Sequence, residues 1–211
     1  MYIELVDILR CPEPHESTWL VAAVTEVHGR HVVAGSLGCP ICRTQYLIAE
    51  GGVDFTGGGR ALMPSLPRAL QAPEAESWRA RAQLDLVEPG GVVVLEGHAA
   101  PLATVLDDSA GVSLLLVNPV GGPAGPGYSI VHATERLPLA PDCLRGAIAG
   151  EGVTAVMLSA LVVALRPRGR LVGPVSAPVP EGVTELMRDA RQWVAARDAE
   201  RVSPPVPLRR S

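Results

Sequence analysis

The chain contains no lysine, and all 18 of its basic residues are arginine. A mechanism that needs a lysine nucleophile or a lysine general base is therefore excluded. Aromatic residues make up only 3% of the 211 residues, with a single Phe, so the series of rings that stacks on single-stranded nucleic acid is missing. The formal net charge of −4 likewise gives no support for nucleic-acid binding by charge.

Long hydrophobic runs are also missing. The longest run, residues 153–165, is too short to span a bilayer, and an Arg-Pro-Arg sequence follows it. The first residues lack the basic and then apolar pattern of a secretory signal. We therefore expect a soluble, cytoplasmic protein. In that compartment the four cysteines favour metal binding over disulfides.

Three of the four cysteines lie near the N-terminus. Cys39 and Cys42 enclose a Cys-Pro-Ile-Cys sequence, a spacing at which one tight turn presents two thiolates to a metal ion. Cys11 also precedes a proline, and His15 follows it closely. Four protein ligands would close the coordination sphere, so the site would be structural and not catalytic. The predicted zinc ligands are Cys11, His15, Cys39 and Cys42.

Two other histidines compete with His15 for the fourth ligand position. His28 and His31 stand on either side of a predicted turn, and a hairpin could bring either one back to the cysteines. The remaining cysteine, Cys143, comes far along the chain before a predicted buried strand. We expect it to be a core thiol without a role in metal binding.

Four short tracts of the N-terminal part carry a family resemblance. They are ILRCP (8–12), GSLGCPIC (35–42), YLI (46–48) and GGVDF (51–55). These tracts are similar to the zinc-ribbon family of tRNA-methyltransferase activator subunits and their bacterial relatives. The resemblance implies a zinc-binding module that docks on methyltransferases and stabilises them. Pro14 stands where the family commonly has the second cysteine of the first knuckle.

From residue 74 onward, apolar runs alternate with helix-like segments, which predicts an α/β domain with a parallel sheet. Predicted strands are residues 19–27, 31–35, 45–49, 92–95, 112–117, 128–132, 144–149 and 169–172. Predicted helices are residues 74–86, 101–106, 153–165 and 180–199. The last helix is predicted from apolar residues at helical spacing between Val183 and Val194.

The composition divides the chain into four parts. Residues 1–56 form a zinc-ribbon-like domain, and residues 57–73 form a Gly- and Pro-rich linker. Residues 74–199 form the α/β domain. Residues 200–211 form a Pro- and Arg-rich tail that we expect to be disordered.

Two tracts of the α/β domain carry a second resemblance. Glu135–Asp142, before a predicted strand, and Leu165–Leu171, at the start of the next strand, are similar to the segments around the fourth and fifth strands of class I S-adenosylmethionine-dependent methyltransferases. The resemblance implies a truncated, doubly wound, Rossmann-like sheet of about five strands. The hairpin that closes the sheet in this family has no counterpart among the predicted elements.

The cofactor-binding positions of that family are matched only in part. The family has an acidic residue and a Gly-x-Gly-x-Gly turn after its first strand, whereas this chain has Glu96-Gly97-His98 followed by two alanines. After the second strand, Asn118 stands where the family places a carboxylate on the ribose, and a Gly/Pro loop (121–127) replaces the next helix. The candidate cofactor-binding residues are Glu96, Gly97, His98 and Asn118.

Two functions are compatible with this sequence. The first is a non-catalytic or cofactor-impaired methyltransferase-like protein that acts as a zinc-ribbon binding or scaffold subunit for a protein partner, or as a homodimer. It predicts a filled cofactor cleft, and no residue is assigned as catalytic. The second is a divergent, active S-adenosylmethionine-dependent methyltransferase with a fused activator domain. It predicts an open cavity after the first two strands, with Glu96 pointing into that cavity.

Overall fold

The computed structural model describes residues 1–57, 73–106, 111–123 and 128–199. The strands are β1 (Val21–His28), β2 (His31–Gly38), β3 (Gln45–Ala49), β4 (Gly52–Asp54), β5 (Val92–Glu96), β6 (Ser113–Val117), β7 (Ser129–His132), β8 (Leu144–Ala149), β9 (Leu165–Pro174), β10 (Val183–Arg188) and β11 (Gln192–Arg197). The α-helices are α1 (Glu74–Leu84), α2 (Ala103–Leu106) and α3 (Ala155–Ala164), and 3₁₀ helices cover Ile3–Ile8 and Gly97–Leu102.

All strands belong to one sheet, in the order β1-β2-β3-β4-β7-β6-β5-β8-β9-β11-β10. The five strands from β7 to β9 in this order are parallel to one another. Numbered by their sequence, these five strands have the order 3-2-1-4-5 of the doubly wound α/β fold. The predicted fold class is therefore confirmed, and the order reverses between β5 and β8, where such sheets place their ligands.

The buried strands form where the apolar runs predicted them. Val93, Val94 and Leu95 of β5 are fully buried, as expected for a strand that is covered on both faces. The predicted helices at residues 74–86 and 153–165 are also present, as α1 and α3. The predicted helix at residues 101–106 is a 3₁₀ helix followed by the single turn of α2. No helix in the described ranges has the length and apolar character needed to cross a membrane.

The predicted helix at residues 180–199 is wrong, and with it the expectation that no closing hairpin exists. This segment forms the antiparallel hairpin β10–β11, in which β11 also pairs with β9. The carboxylate of Asp189 accepts hydrogen bonds from the backbone N–H groups of Arg191 (2.7 Å) and Gln192 (2.8 Å). This Asx turn reverses the chain inside the predicted helix.

The burial pattern explains why the hairpin is preferred over the helix. Trp193 is fully buried, and Val194 and Ala195 beside it are almost fully buried. Consecutive residues of a helix point to different sides of that helix. In the structure the three residues belong to β11, which lies between β9 and β10 and is covered on both faces, so all three are buried. Leu186 and Met187, which helical spacing assigned to a core face, are exposed.

The N-terminal ribbon is continuous with the doubly wound sheet. Strands β1 to β4 form an antiparallel meander. Its last strand, β4, then pairs in parallel with β7, with Gly52, Val53 and Asp54 opposite Ile130, Val131 and His132. Sequence patterns did not predict β4, because three residues are too few for a recognisable alternation.

The first residues of the chain cover one face of this sheet. Met1, Leu5 and Leu9 are fully buried in the same core as Val94 and Leu115 of the parallel strands. They pack where a helix would normally cross from β7 to β8. The connection that replaces this helix is held to the N-terminal segment by backbone hydrogen bonds from Arg10 N to Pro138 O (2.9 Å) and from Ala140 N to Ile8 O (2.8 Å).

The predicted division into domains stays a prediction. The sheet crosses the predicted boundary between the ribbon and the α/β domain through the pairing of β4 with β7. Most of the predicted linker (58–72), part of the Gly/Pro loop (124–127) and the predicted disordered tail (200–211) lie outside the described residues.

Candidate metal centre and cofactor cleft

The four predicted zinc ligands come together in the folded chain. The ligand atoms of Cys11, His15, Cys39 and Cys42 all lie within 4.8 Å of one another. The Cys11 and Cys42 sulfurs are 3.7 Å apart, and Nε2 of His15 is 3.4 Å from the Cys39 sulfur. A tetrahedral zinc ion with its usual bond lengths would hold two sulfurs about 3.8 Å apart, and a sulfur and a nitrogen about 3.6 Å apart. The donor set and its spacing therefore fit zinc.

Two tight turns present these ligands. In the second turn, Cys39 O accepts from Arg43 N (3.0 Å), and Cys39 N donates to Thr44 O (2.9 Å). Arg43 takes a left-handed conformation (φ 63°), which lets the chain return beside Cys39. In the first turn, Cys11 N donates to Thr18 O (3.2 Å). The two turns thus direct their cysteines toward each other.

His15 is oriented by a contact on the far side of its ring. Its Nδ1 lies 2.7 Å from the backbone oxygen of Glu16. A proton on Nδ1 completes this hydrogen bond and leaves the lone pair of Nε2 directed at the cysteines, as in most zinc-bound histidines. The competing histidines are not part of the group: His28 lies 3.2 Å from Glu26 on β1, and the His31 ring packs at a tilt against the Tyr2 ring.

The surroundings shift the pKa values of two of the thiols in opposite directions. Burial raises the pKa of the Cys11 thiol to about 11. The hydrogen bond with the Thr44 side chain is the main cause that lowers the pKa of Cys42 to about 6. Zinc binds thiolates, so loading the site must displace the proton of Cys11. With four protein ligands, such a site holds the fold together and leaves no open position for catalysis.

Tyr46 and Arg136 connect the ligands to their surroundings. The Tyr46 hydroxyl lies 3.7 Å from the Cys11 sulfur and donates to the Glu13 carboxylate (3.2 Å). The Arg136 guanidinium donates to Pro12 O (3.1 Å), directly after Cys11. Because Arg136 belongs to the connection between β7 and β8, the metal centre is tied to the doubly wound sheet.

The cofactor cleft of a doubly wound sheet lies at the carboxyl ends of its first strands, here β5 and β6. Glu96 ends β5 and is only 8% exposed. Its carboxylate accepts a hydrogen bond from Gly150 N (3.3 Å) at the end of β8. Burial raises the pKa of the Glu96 carboxyl above its usual range. The side chain is thus directed at the neighbouring strand and not into an open cleft.

The turn after β5 is covered by the loop that follows β6. Gly97 O accepts a hydrogen bond from Val120 N (3.0 Å). Gly122 packs so closely that a Cβ atom there would lie 2.8 Å from the backbone carbon of Ala100. Gly97 is left-handed (φ 57°), as the turn requires. The loop that follows β6 therefore covers one side of this turn.

Asn118 is fully engaged in a contact between strand ends. Its Nδ2 donates to Ala133 O and its Oδ1 accepts from Ala133 N, both at 2.9 Å. These two bonds fasten the end of β6 to the end of β7. Both polar atoms of the amide thus take part in holding the two strand ends together.

A cavity of about 360 Å³ lies beside this closed turn. His98 is exposed and contributes to its wall, as do Gly150 and Glu151 after β8. Neither Glu96 nor Asn118 lines it. The hairpin residues Arg191 and Gln192 complete the wall. Sequence reasoning missed both of them because it placed them in a helix, and no motif marks them.

Comparisons with known proteins gave matches to solved structures alone. No family model and no curated protein matches the chain. The chain is similar to the 1,6-didemethyltoxoflavin-N1-methyltransferase of Burkholderia thailandensis, at 17% identity and a TM-score of 0.42, over 61% of this chain and 80% of that one. It is similar to a TehB-like methyltransferase of Corynebacterium glutamicum, at 11% identity and a TM-score of 0.38, over 60% and 96% of the two chains.

A third similarity is to a Haloferax volcanii complex of the Trm112 methyltransferase activator with a protein assigned as a methyltransferase. The identity is 21%, the TM-score is 0.37, and the match covers 48% of this chain and 54% of that chain. This chain therefore spans about half the length of its Haloferax counterpart. At these identities the likeness concerns the fold alone, and the strand order itself establishes the doubly wound sheet.

Proposed function

We propose that the chain is a non-catalytic, cofactor-impaired methyltransferase-like protein that acts as a zinc-ribbon binding subunit for a protein partner. The observation that carries the proposal is the closed end of β5 and β6. The polar groups that would hold a nucleoside cofactor there form hydrogen bonds within the chain.

Cofactor binding at this place would require several internal contacts to break. The two bonds between Asn118 and Ala133 contribute about 0.5–1.5 kcal/mol each, and a buried group left without a partner costs about 1–3 kcal/mol. The loop that carries Val120 and Gly122 would also have to leave the turn after β5. The free-energy cost of these changes makes the net binding free energy less favourable. Any affinity for S-adenosylmethionine is weaker as a result.

The metal centre supports a structural role for the ribbon. We infer that Cys11, His15, Cys39 and Cys42 hold a zinc ion, which fixes the two turns against each other. The ion would stabilise the folded ribbon and take no part in a reaction.

The outer face of the ribbon supports a role in binding. Trp19, Val21 and Leu47 are large apolar residues, and all three are exposed. Through the pairing of β1 with β2 and of β2 with β3, Val21 and Leu47 lie on the same face of the sheet. Apolar surface of this kind commonly marks a contact with another protein.

The test is a calorimetric titration of the zinc-loaded chain with S-adenosylmethionine and with S-adenosylhomocysteine. We expect no binding heat up to about 1 mM ligand, a concentration that detects any affinity stronger than roughly −4 kcal/mol. An active class I methyltransferase, titrated in the same buffer, is the positive control. Micromolar binding would refute the proposal.

The cavity beside the closed turn favours a second function, a divergent active methyltransferase with a fused activator domain. Its volume of about 360 Å³ lies within the range of small-molecule sites, and it adjoins the point where the strand order reverses. The same titration separates the two functions. If the cofactor binds, substitution of the cavity residue Gln192 is the first test of where it lies.

A further inference from the structure

The last strand of the sheet, β10, has one edge that no other described strand covers. Its order in the sheet gives it one neighbour, β11, among the described strands. The backbone N–H and C=O groups on its other edge are therefore available to a further strand. Five of its six residues are exposed, and no proline interrupts the strand.

A bulge decides which residues of β10 share a face. Glu185 pairs with Ala195 and Arg188 pairs with Trp193, with a shift in register between them at Leu186. Ala195 and Trp193 point to the same core, so Glu185 and Arg188 also lie on one face. Their side chains confirm this, because the Arg188 guanidinium donates to both carboxylate oxygens of Glu185 at 3.0 and 2.7 Å. Met187, opposite Val194, lies on the other face.

We propose that β10 pairs in antiparallel fashion with β10 of a second copy of this chain, so that the two sheets become one. In a register that leaves Leu186 of each strand unpaired in its bulge and puts Met187 opposite Met187 of the second copy, Glu185 faces the partner's Arg188, and Arg188 faces the partner's Glu185. Directly opposite residues of an antiparallel pair lie on the same face of the sheet. Glu185 and Arg188 meet this condition although they are three residues apart, because the bulge puts them on one face. The ion pair within each chain thus becomes a group of four alternating charges.

The apolar residues of the edge favour the same occupant. Leu186 and Met187 are 53% and 50% exposed at the centre of this register. They line a groove of about 490 Å³ between β10 and α1, together with Val194. In the dimer each pair would meet its symmetry copy at the two-fold axis, which removes four large apolar side chains from water.

The opposite edge of the sheet, β1, fits a second copy less well. Its charged residues, Glu26 and His28, stand at the end of the strand. A register that places them opposite each other extends over only three residues, because the turn at Gly29 follows. The β10 edge has its complementary charges around the middle of the strand.

The test uses sedimentation equilibrium of the full zinc-loaded chain and two charge-reversal variants, Glu185→Arg and Arg188→Glu. We expect the native chain to be a dimer. Each single variant places four like charges at the interface and should weaken dimerisation by about tenfold or more. An equimolar mixture of the two variants pairs arginines only with glutamates, so it should form the heterodimer. The double variant E185R/R188E should recover the homodimer.

The matched control is Glu26→Arg, the same charge change on β1, which should leave the dimer intact. Glu185 and Arg188 are exposed, so circular dichroism should show all variants folded. A monomeric native chain, single variants that dimerise like the native chain, or a mixture that fails to associate would each overturn the proposal. The measurement needs no S-adenosylmethionine, so its outcome is independent of the proposed function.

Discussion

At the scale of single residues, the backbone around His15 directs one ring nitrogen of this histidine toward the cysteines of the candidate metal centre. The Glu16 carbonyl holds Nδ1, so Nε2 faces the Cys39 sulfur at 3.4 Å. This hydrogen bond also raises the pKa of His15. A protonated imidazole cannot bind zinc, so zinc affinity should fall as the pH falls. The ring orientation is a local property of the Glu13–Glu16 turn, in which His15 N donates to Glu13 O.

Replacement of His15 by alanine should therefore weaken zinc binding. The loss should exceed the roughly 10–100-fold that removal of an outer-shell partner costs, because a direct ligand is lost. The measurement is competition for zinc against a chromophoric chelator at pH 7.

His28→Ala is the matched control, since His28 is an exposed histidine of the same ribbon outside the cysteine group. Its zinc affinity should equal that of the native chain. Equal affinities for His15→Ala and the native chain would remove His15 from the ligand set.

At the scale of secondary-structure elements, the hairpin β10–β11 is anchored by one side chain. The Trp193 indole is fully buried and donates from Nε1 to Ala177 O (2.9 Å). Gly173 on β9 provides the space, because a Cβ atom there would lie 2.2 Å from the indole ring. The packing of Trp193 against Gly173 thus attaches the hairpin to the parallel strands.

The substitution Trp193→Ala should reduce the free energy of unfolding by about 3–5 kcal/mol, the usual cost of deleting a large buried aromatic side chain. Urea denaturation followed by circular dichroism measures it. Trp78→Ala on α1 is the control, because Trp78 is 66% exposed and should change stability by less than about 0.5 kcal/mol. Similar losses for both variants would show that burial at β11 does not anchor the hairpin.

The same elements show what the sequence could and could not predict. Continuous apolar runs such as Val92–Leu95 identify buried strands, and the Cys-Pro-Ile-Cys spacing pointed to a cluster that the structure brings together within 4.8 Å. The hairpin was missed because its apolar residues also match a helical period, while the deciding contact, Trp193 against Gly173, is not local. The cover over the turn after β5 depends on the hydrogen bond from Val120 N to Gly97 O, which no local pattern encodes.

At the scale of the whole molecule, backbone pairing and side-chain packing join the candidate metal centre to the parallel sheet. The ribbon enters the sheet through β4, and Met1, Leu5 and Leu9 complete the core on one face. The Arg136 guanidinium donates to Pro12 O, between the predicted ligands Cys11 and His15. Loss of the metal should therefore affect strands far from it.

Removal of zinc by a chelator should lower the melting temperature of the entire sheet in one transition, by about 5 °C or more. The measurement is the fluorescence of Trp193 in a background where Trp19 and Trp78 are replaced by phenylalanine. Trp193 lies near the end of the sheet opposite to the ribbon. A Trp193 transition that does not respond to the chelator would show that the ribbon unfolds independently.

The parallel pairing of β4 with β7 joins two parts of a single polypeptide. A contact between separate chains dissociates on dilution, whereas a contact within one chain experiences a fixed effective concentration set by the connecting segment. The ribbon is therefore present on its sheet at every expression level, in a ratio of one to one fixed by translation. Competition from other proteins for the same strand edge must overcome this local concentration, which makes exchange of the ribbon between partners unfavourable.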